Sequence, residues 1–147
     1  MNQRVSFYIL KGESARDALL FACRLTEKAW KLNLNIALYM SNKHDTDDMD
    51  ALLWSFRETS FLPHSIADKN QQPDSSIILS DDETLLGKAD LLINISHTLP
   101  EKLPNYGRIA EIVPDRDPER SHARQRFKDY RQMGHPLDSH TVDLTGH

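Results

Sequence analysis

Two runs of strand-forming residues enclose a helical stretch free of proline and glycine near the start of the chain, and this β-α-β order constrains the fold more than any other feature. Val5 to Leu10 reads VSFYIL, rich in β-branched and aromatic side chains and closed by Lys11-Gly12. Residues 14–33 carry Ala, Leu, Glu and Lys throughout, which favours a helix, and Ile36 to Met40 is the next apolar run. A crossover this short joins parallel strands with right-handed chirality, so helices are expected to cover the sheet in an α/β layer fold. Further strands are expected at Ile77–Leu79, Leu91–Ile95 and Ile109–Val113, about five in all. A length of 147 residues suits one domain, read here as residues 1–136 followed by a polar, loose tail over 137–147.

A second helix is announced by Asp45, Asp47 and Asp48, which suit the positive end of a helix running to about Arg57. Met49, Leu52, Leu53 and Phe56 share one face at i, i+3, i+4 and i+7, whereas Trp54 points away from it. Residues 68–76 are polar and read as a loop, and Pro100 and Pro104 permit only a turn or a short helical piece between two strands. The last helix carries its own punctuation: Asp117 as cap, Pro118 at the first position, Gly134 as terminator and Pro136 as a block to continuation.

Several functions are excluded by what such chemistry requires. Lys11-Gly12-Glu13-Ser14 is no phosphate-binding turn, since no glycine-rich motif follows the first strand and Glu13 puts negative charge where phosphates would lie. Ser80-Asp81-Asp82 reads as a strand entering an acidic turn rather than a magnesium site. The seven histidines form no zinc-binding spacing, and the acids from Asp45 to Asp50 lack the glycine and distant glutamate of a calcium loop, so neither metal nor cofactor is expected. No serine sits in a GxSxG elbow, and no catalytic residue is assigned. Cys23, the single cysteine, sits in the longest apolar run, Ala18–Cys23, and reads as a buried thiol. That run falls far short of a membrane span, and the first residues lack the apolar core of a secretory signal, so the expected location is the cytoplasm.

The net charge is −4, but residues 118–133 hold five basic and two acidic side chains, a local +3 on a body of −7. Arg120, Arg124, Phe127, Lys128 and Arg131 recur at helical spacing on one face. An aromatic ring among guanidinium groups suits an acidic peptide end with an apolar anchor. The same spacing is also compatible with a solvated basic face whose Phe127 enters the core, or with a ridge following a phosphate backbone. A second candidate surface gathers Trp54 with Phe61-Leu62-Pro63-His64, where a large aromatic and a restricted loop could form a partner patch or fold upon themselves.

Several segments together resemble the chi subunit of bacterial DNA polymerase III: Phe7-Tyr8-Ile9-Leu10, Ala51-Leu52-Leu53-Trp54, Ser60-Phe61-Leu62-Pro63-His64, Leu91-Leu92-Ile93-Asn94-Ile95 and Val113-Pro114, followed by the run Ala123-Arg124-Gln125-Arg126-Phe127-Lys128-Asp129-Tyr130-Arg131. The resemblance implies a single three-layer α/β/α domain, Rossmann-like but without a phosphate-binding loop, that performs no chemistry. It also implies a one-to-one pairing with the psi subunit, which tethers the chain to the clamp loader, and binding of the acidic, phenylalanine-ended tail of single-stranded DNA-binding protein. Carried over by position, Val113, Arg120, Arg124, Phe127 and Lys128 match the tail-binding motif, and Trp54, Phe61 and Pro63 match the psi-facing region. Phe127 stands where the familiar pattern has tyrosine, and Arg120 where it has lysine. A direct single-stranded DNA binder and a degenerate nucleotide-dependent enzyme are the competing readings.

Overall fold

Strand β1 (Val5–Leu10), helix α1 (Ala15–Lys31) and strand β2 (Ile36–Tyr39) occupy the three opening segments expected of them. The computed structural model describes residues 3–11, 15–56, 62–68 and 75–143. After β2 come α2 (Lys43–Ser55), β3 (His64–Ile66), β4 (Ile77–Ser80), β5 (Ala89–Asn94), β6 (Tyr106–Pro114), α3 (Glu119–Gln132) and β7 (Leu137–Val142). Single turns of 3-10 helix at Glu83–Leu85 and Leu103–Asn105 flank β5. The Gly12-Glu13-Ser14 turn, Arg57, Phe61 and most of the expected 68–76 loop lie outside the described residues.

The described strands form one sheet in the order β3-β4-β2-β5-β6-β1-β7, with every pairing parallel. Helices α1 and α2 pack on one face, burying Ala22, Met49 and Leu53 against Leu38, Leu79 and Ile93. Helix α3 packs on the other, where Ala123 and Tyr130 meet Val5, Phe7 and Ile109. Strands covered on both faces need apolar side chains at successive positions, and Ile77, Ile78 and Leu79 are accordingly all buried. The fold is the expected α/β sandwich of layers, with seven strands in place of about five.

The two additional strands are the sheet's edges. β3 is only three residues long. The stretch after Pro136, expected to be loose, is ordered over residues 137–142 as β7, paired with β1 along its whole length. Its order comes from the backbone ladder, as in the 2.8 Å bond from Lys11 N–H to the Val142 carbonyl, while its exposed Ser139, His140 and Thr141 suit an edge open to water.

Local signals fix the helix ends, with two shifts from the expected caps. Asn42, ahead of the acidic cluster, caps α2 by accepting the Asp45 N–H at 2.8 Å. Pro118 rather than Asp117 precedes the first residue of α3, and Asp117 serves that turn by accepting the Ser121 hydroxyl at 2.8 Å. At its far end Gly134, at φ 86°, donates to the Arg131 carbonyl while His135 donates to that of Tyr130, the paired bonds of a left-handed helix stop. Gly134→Ala should therefore cost about 1 kcal/mol, because a Cβ is disfavoured at this φ, and thermal melting should read the loss as roughly 3 °C.

No α-helix covers the crossovers on either side of β5, and a buried carboxylate substitutes for one. Glu83 accepts the N–H groups of Glu101 and Lys102 at 2.7 and 2.9 Å and the Tyr106 hydroxyl at 2.7 Å. Burial, reinforced by Glu83, pushes the Tyr106 hydroxyl far up and keeps it protonated as the donor. Gly107 completes the fit, since a Cβ there would meet the Asp90 carbonyl oxygen at 2.8 Å.

Candidate functional site

Because side chains alternate along a strand, Phe7, Ile9, Val113 and Ser139 all point to the α3 side of the sheet. They floor a groove of about 300 Å³ that runs between α3 and the β7 edge. Arg120, Ala123, Arg124 and Phe127 form the opposing wall. Phe127 is half-buried, its ring 5.3 Å from that of Phe7 and 5.8 Å from the Arg131 guanidinium. The ring is thus neither lost in the core nor free in water, and it lines the groove.

The cations are not equivalent. Arg124 is exposed at the rim, with no ion-pair partner among the described residues. Arg120 is committed within the chain: Nη1 lies 3.0 Å from Asp115 and Nη2 3.8 Å from Asp117. The Asp115 hydrogen bond and the two acids push Arg120 further up, and the Ser121 hydroxyl, with help from Arg120, holds Asp117 below its usual range. Lys128 is exposed on the next turn and does not line the groove. The geometry therefore gathers Val113, Arg120, Arg124 and Phe127 and leaves Lys128 just outside.

At the other end of the strand order, Trp54 is 54% exposed and its ring lies 4.7 Å from that of His64. His64 is buried beneath it, donating from Nδ1 to the Leu62 carbonyl at 2.6 Å. Its Nε2 lies 3.2 Å from Asp50, out of hydrogen-bond alignment. Pro63 is half-buried in the same segment. Trp54 and Pro63 thus flank the β3 edge, while Phe61 falls outside the described residues.

A family model described as DNA polymerase III chi subunit, HolC, matches residues 1–138. The chain belongs to the DNA polymerase III chi family. It is 36% identical to the DNA polymerase III subunit chi of Pseudomonas aeruginosa over 139 residues, 95% of this chain and 96% of that protein. The subunit of the same name from Haemophilus influenzae is 26% identical over 97% of this chain and 99% of its own length. The Escherichia coli one is 21% identical over 95% and 98%. Membership assigns the chain to DNA replication, as a component of the polymerase III complex.

In this chi-family chain the residue that sequence reasoning missed is Glu111, fully buried in the middle of β6. It accepts from Arg126 Nε at 3.0 Å, Asn94 Nδ2 at 2.9 Å and the Tyr130 hydroxyl at 2.7 Å, and Arg126 also donates to the His97 carbonyl at 3.2 Å. Burial pushes the Glu111 carboxyl up against the pull of Arg126, Asn94 and Tyr130. Arg126, one of five cations in the basic segment, is thereby removed from the surface. The network sets the rotation of α3, turning Arg124 and Phe127 toward the groove.

Among the described residues, the carboxyl ends of the central strands, where Rossmann-like folds hold ligands, enclose about 90 Å³, less than the few hundred Å³ of a typical ligand site. Asp45 and Glu119 line that space, with Arg116 bonded to Glu119 at 2.6 Å. His44, Asp45 and Asp48 bring ligand atoms within 4.8 Å of one another at the start of α2, on the open surface. Burial pushes the Cys23 thiol up to about 12, a packing role rather than a reactive one. No helix among the described residues is long and apolar enough to cross a membrane.

Proposed function

We propose that this chi-family chain is a non-catalytic cytoplasmic adaptor whose α3–β7 groove takes the acidic, phenylalanine-ended tail of single-stranded DNA-binding protein. The observation that carries this reading is the groove itself: an apolar floor of Phe7, Ile9 and Val113 beneath a rim bearing Arg124. The floor receives the terminal ring of the tail, Arg124 grips its carboxylate, and Lys128 attracts the acids that precede it. Phe127 supplies ring surface without a hydroxyl, so its contribution is packing.

The test is titration of the purified protein with a labelled acidic peptide ending in phenylalanine and with the same peptide lacking that residue. Removal of the ring should weaken binding by more than about tenfold, the effect of emptying an apolar pocket. Equal affinity for the two peptides, or tight oligonucleotide binding with a steep salt slope, would replace the tail by nucleic acid as the ligand.

The reading extends to the other edge, where Trp54 and Pro63 receive the psi subunit, itself joined to the clamp loader; Phe61, two residues before Pro63 in the sequence, is assigned to the same contact. An exposed tryptophan resting on a buried histidine is the kind of anchor that dominates interfaces. Trp54→Ala should weaken psi binding by about 2 kcal/mol and leave peptide binding within experimental error. Parallel loss of both in a folded variant contradicts the division of labour.

A further inference from the structure

The groove already contains a carboxylate. Asp115, which follows the last residue of β6, lines the groove beside Val113 and places Oδ1 3.0 Å from Arg120 Nη1. Asp117 flanks the same guanidinium at 3.8 Å. Arg120 Nε is buried and has no acceptor among the described residues. Two of the three nitrogen positions of the guanidinium thus face acids of the chain itself, whereas Arg124, one turn further along α3, makes no ion pair within 4.0 Å among the described residues and feels Asp117 only at longer range.

We propose that Asp115 is an internal competitor that determines specificity: it occupies on Arg120 the place an incoming carboxylate would take, so an acidic ligand completes its contacts only by displacing it. The inference rests on the groove being a site for an acidic tail. The exchange of one carboxylate for another on Arg120 is nearly neutral in hydrogen bonds, and it leaves the released Asp115 close to the acids of the ligand. Side chains of Asp115 and Arg120 are 40% and 41% exposed, so the pair can open without unpacking the core. A ligand with one negative charge is therefore refused at Arg120 and held at Arg124 alone. A ligand with an apolar anchor and several acids overcomes the competition.

Asp115→Asn keeps the size of the side chain and removes its charge. Its affinity for the acidic phenylalanine-ended peptide should rise about fivefold over wild type, with a steeper dependence on salt, as one further cation becomes available. The gain should disappear when Asp115→Asn is combined with Arg120→Ala, a coupling that a merely structural role for Asp115 does not produce. Unchanged or weaker binding by Asp115→Asn, alongside loss of binding in Arg124→Ala, overturns the competitor and leaves the groove assignment standing. Absence of binding by wild type and Asp115→Asn alike overturns both.

Discussion

Replacing Arg124 by alanine is expected to weaken binding of an acidic peptide ending in phenylalanine by about 2 kcal/mol, roughly thirtyfold. The magnitude follows from the inequality among the cations. Arg124 is the groove cation with no close ion pair among the described residues, so it meets a ligand without first giving up a salt bridge. It is also exposed, which places the loss at the low end of what a charged anchor contributes. Lys128→Ala, outside the groove, should cost less than about 1 kcal/mol and act mainly on the association rate. Fluorescence anisotropy with the labelled peptide measures both, and unchanged affinity in a folded Arg124→Ala protein removes this residue from the site.

Arg126→Ala, two positions along the same helix, has its large effect on stability instead, with an expected loss of about 3–5 kcal/mol in urea unfolding. The substitution leaves Glu111 at 0% exposure without its cation and deprives the His97 carbonyl of a donor. For a domain whose total stability is on the order of 5–15 kcal/mol, that is a large share. Asn94 and Tyr130 still bond the carboxylate, which keeps the loss within this range rather than beyond it. The double variant Glu111→Leu with Arg126→Met should recover much of it, since a packed apolar pair of similar volume relieves the stranded charge. If Arg126→Ala unfolds at the wild-type urea midpoint, the network is not holding α3.

The layer architecture was legible because its determinants are local. VSFYIL, the glycine-free stretch 14–33 and the apolar run from Ile36 each state their own structure, and the parallel direction of β1 and β2 follows from the crossover, although β5 and β6 lie between them in the sheet. Edge strands are different: LDSHTV has no apolar alternation to announce it, and becomes a strand because β1 offers it a ladder. The basic segment illustrates the same limit. Helical spacing puts Arg124 on the basic face and Arg126 off it, but does not show that Arg126 meets a buried glutamate. The signal for that partner was an acid inside the apolar run Ile109-Ala110-Glu111-Ile112-Val113, which demands compensation but does not name its source. The pairing of Asp115 with Arg120 was likewise invisible, because both residues read as solvated charges until the end of β6 and the first turn of α3 are placed side by side.

The strand order has a mechanical meaning. Trp54 flanks β3 and the groove lies over β6, β1 and β7 at the opposite end of the sheet, so four to six interstrand steps hold them roughly 19–29 Å apart. That separation is more than twice a Debye length of about 8 Å, so the charge of one occupant is largely screened from the other. Partners seated at the two edges would occupy the protein simultaneously with a coupling free energy near zero. The chain then behaves as a rigid strut of fixed span, which raises the local concentration of one partner around the other without altering the intrinsic affinity of either.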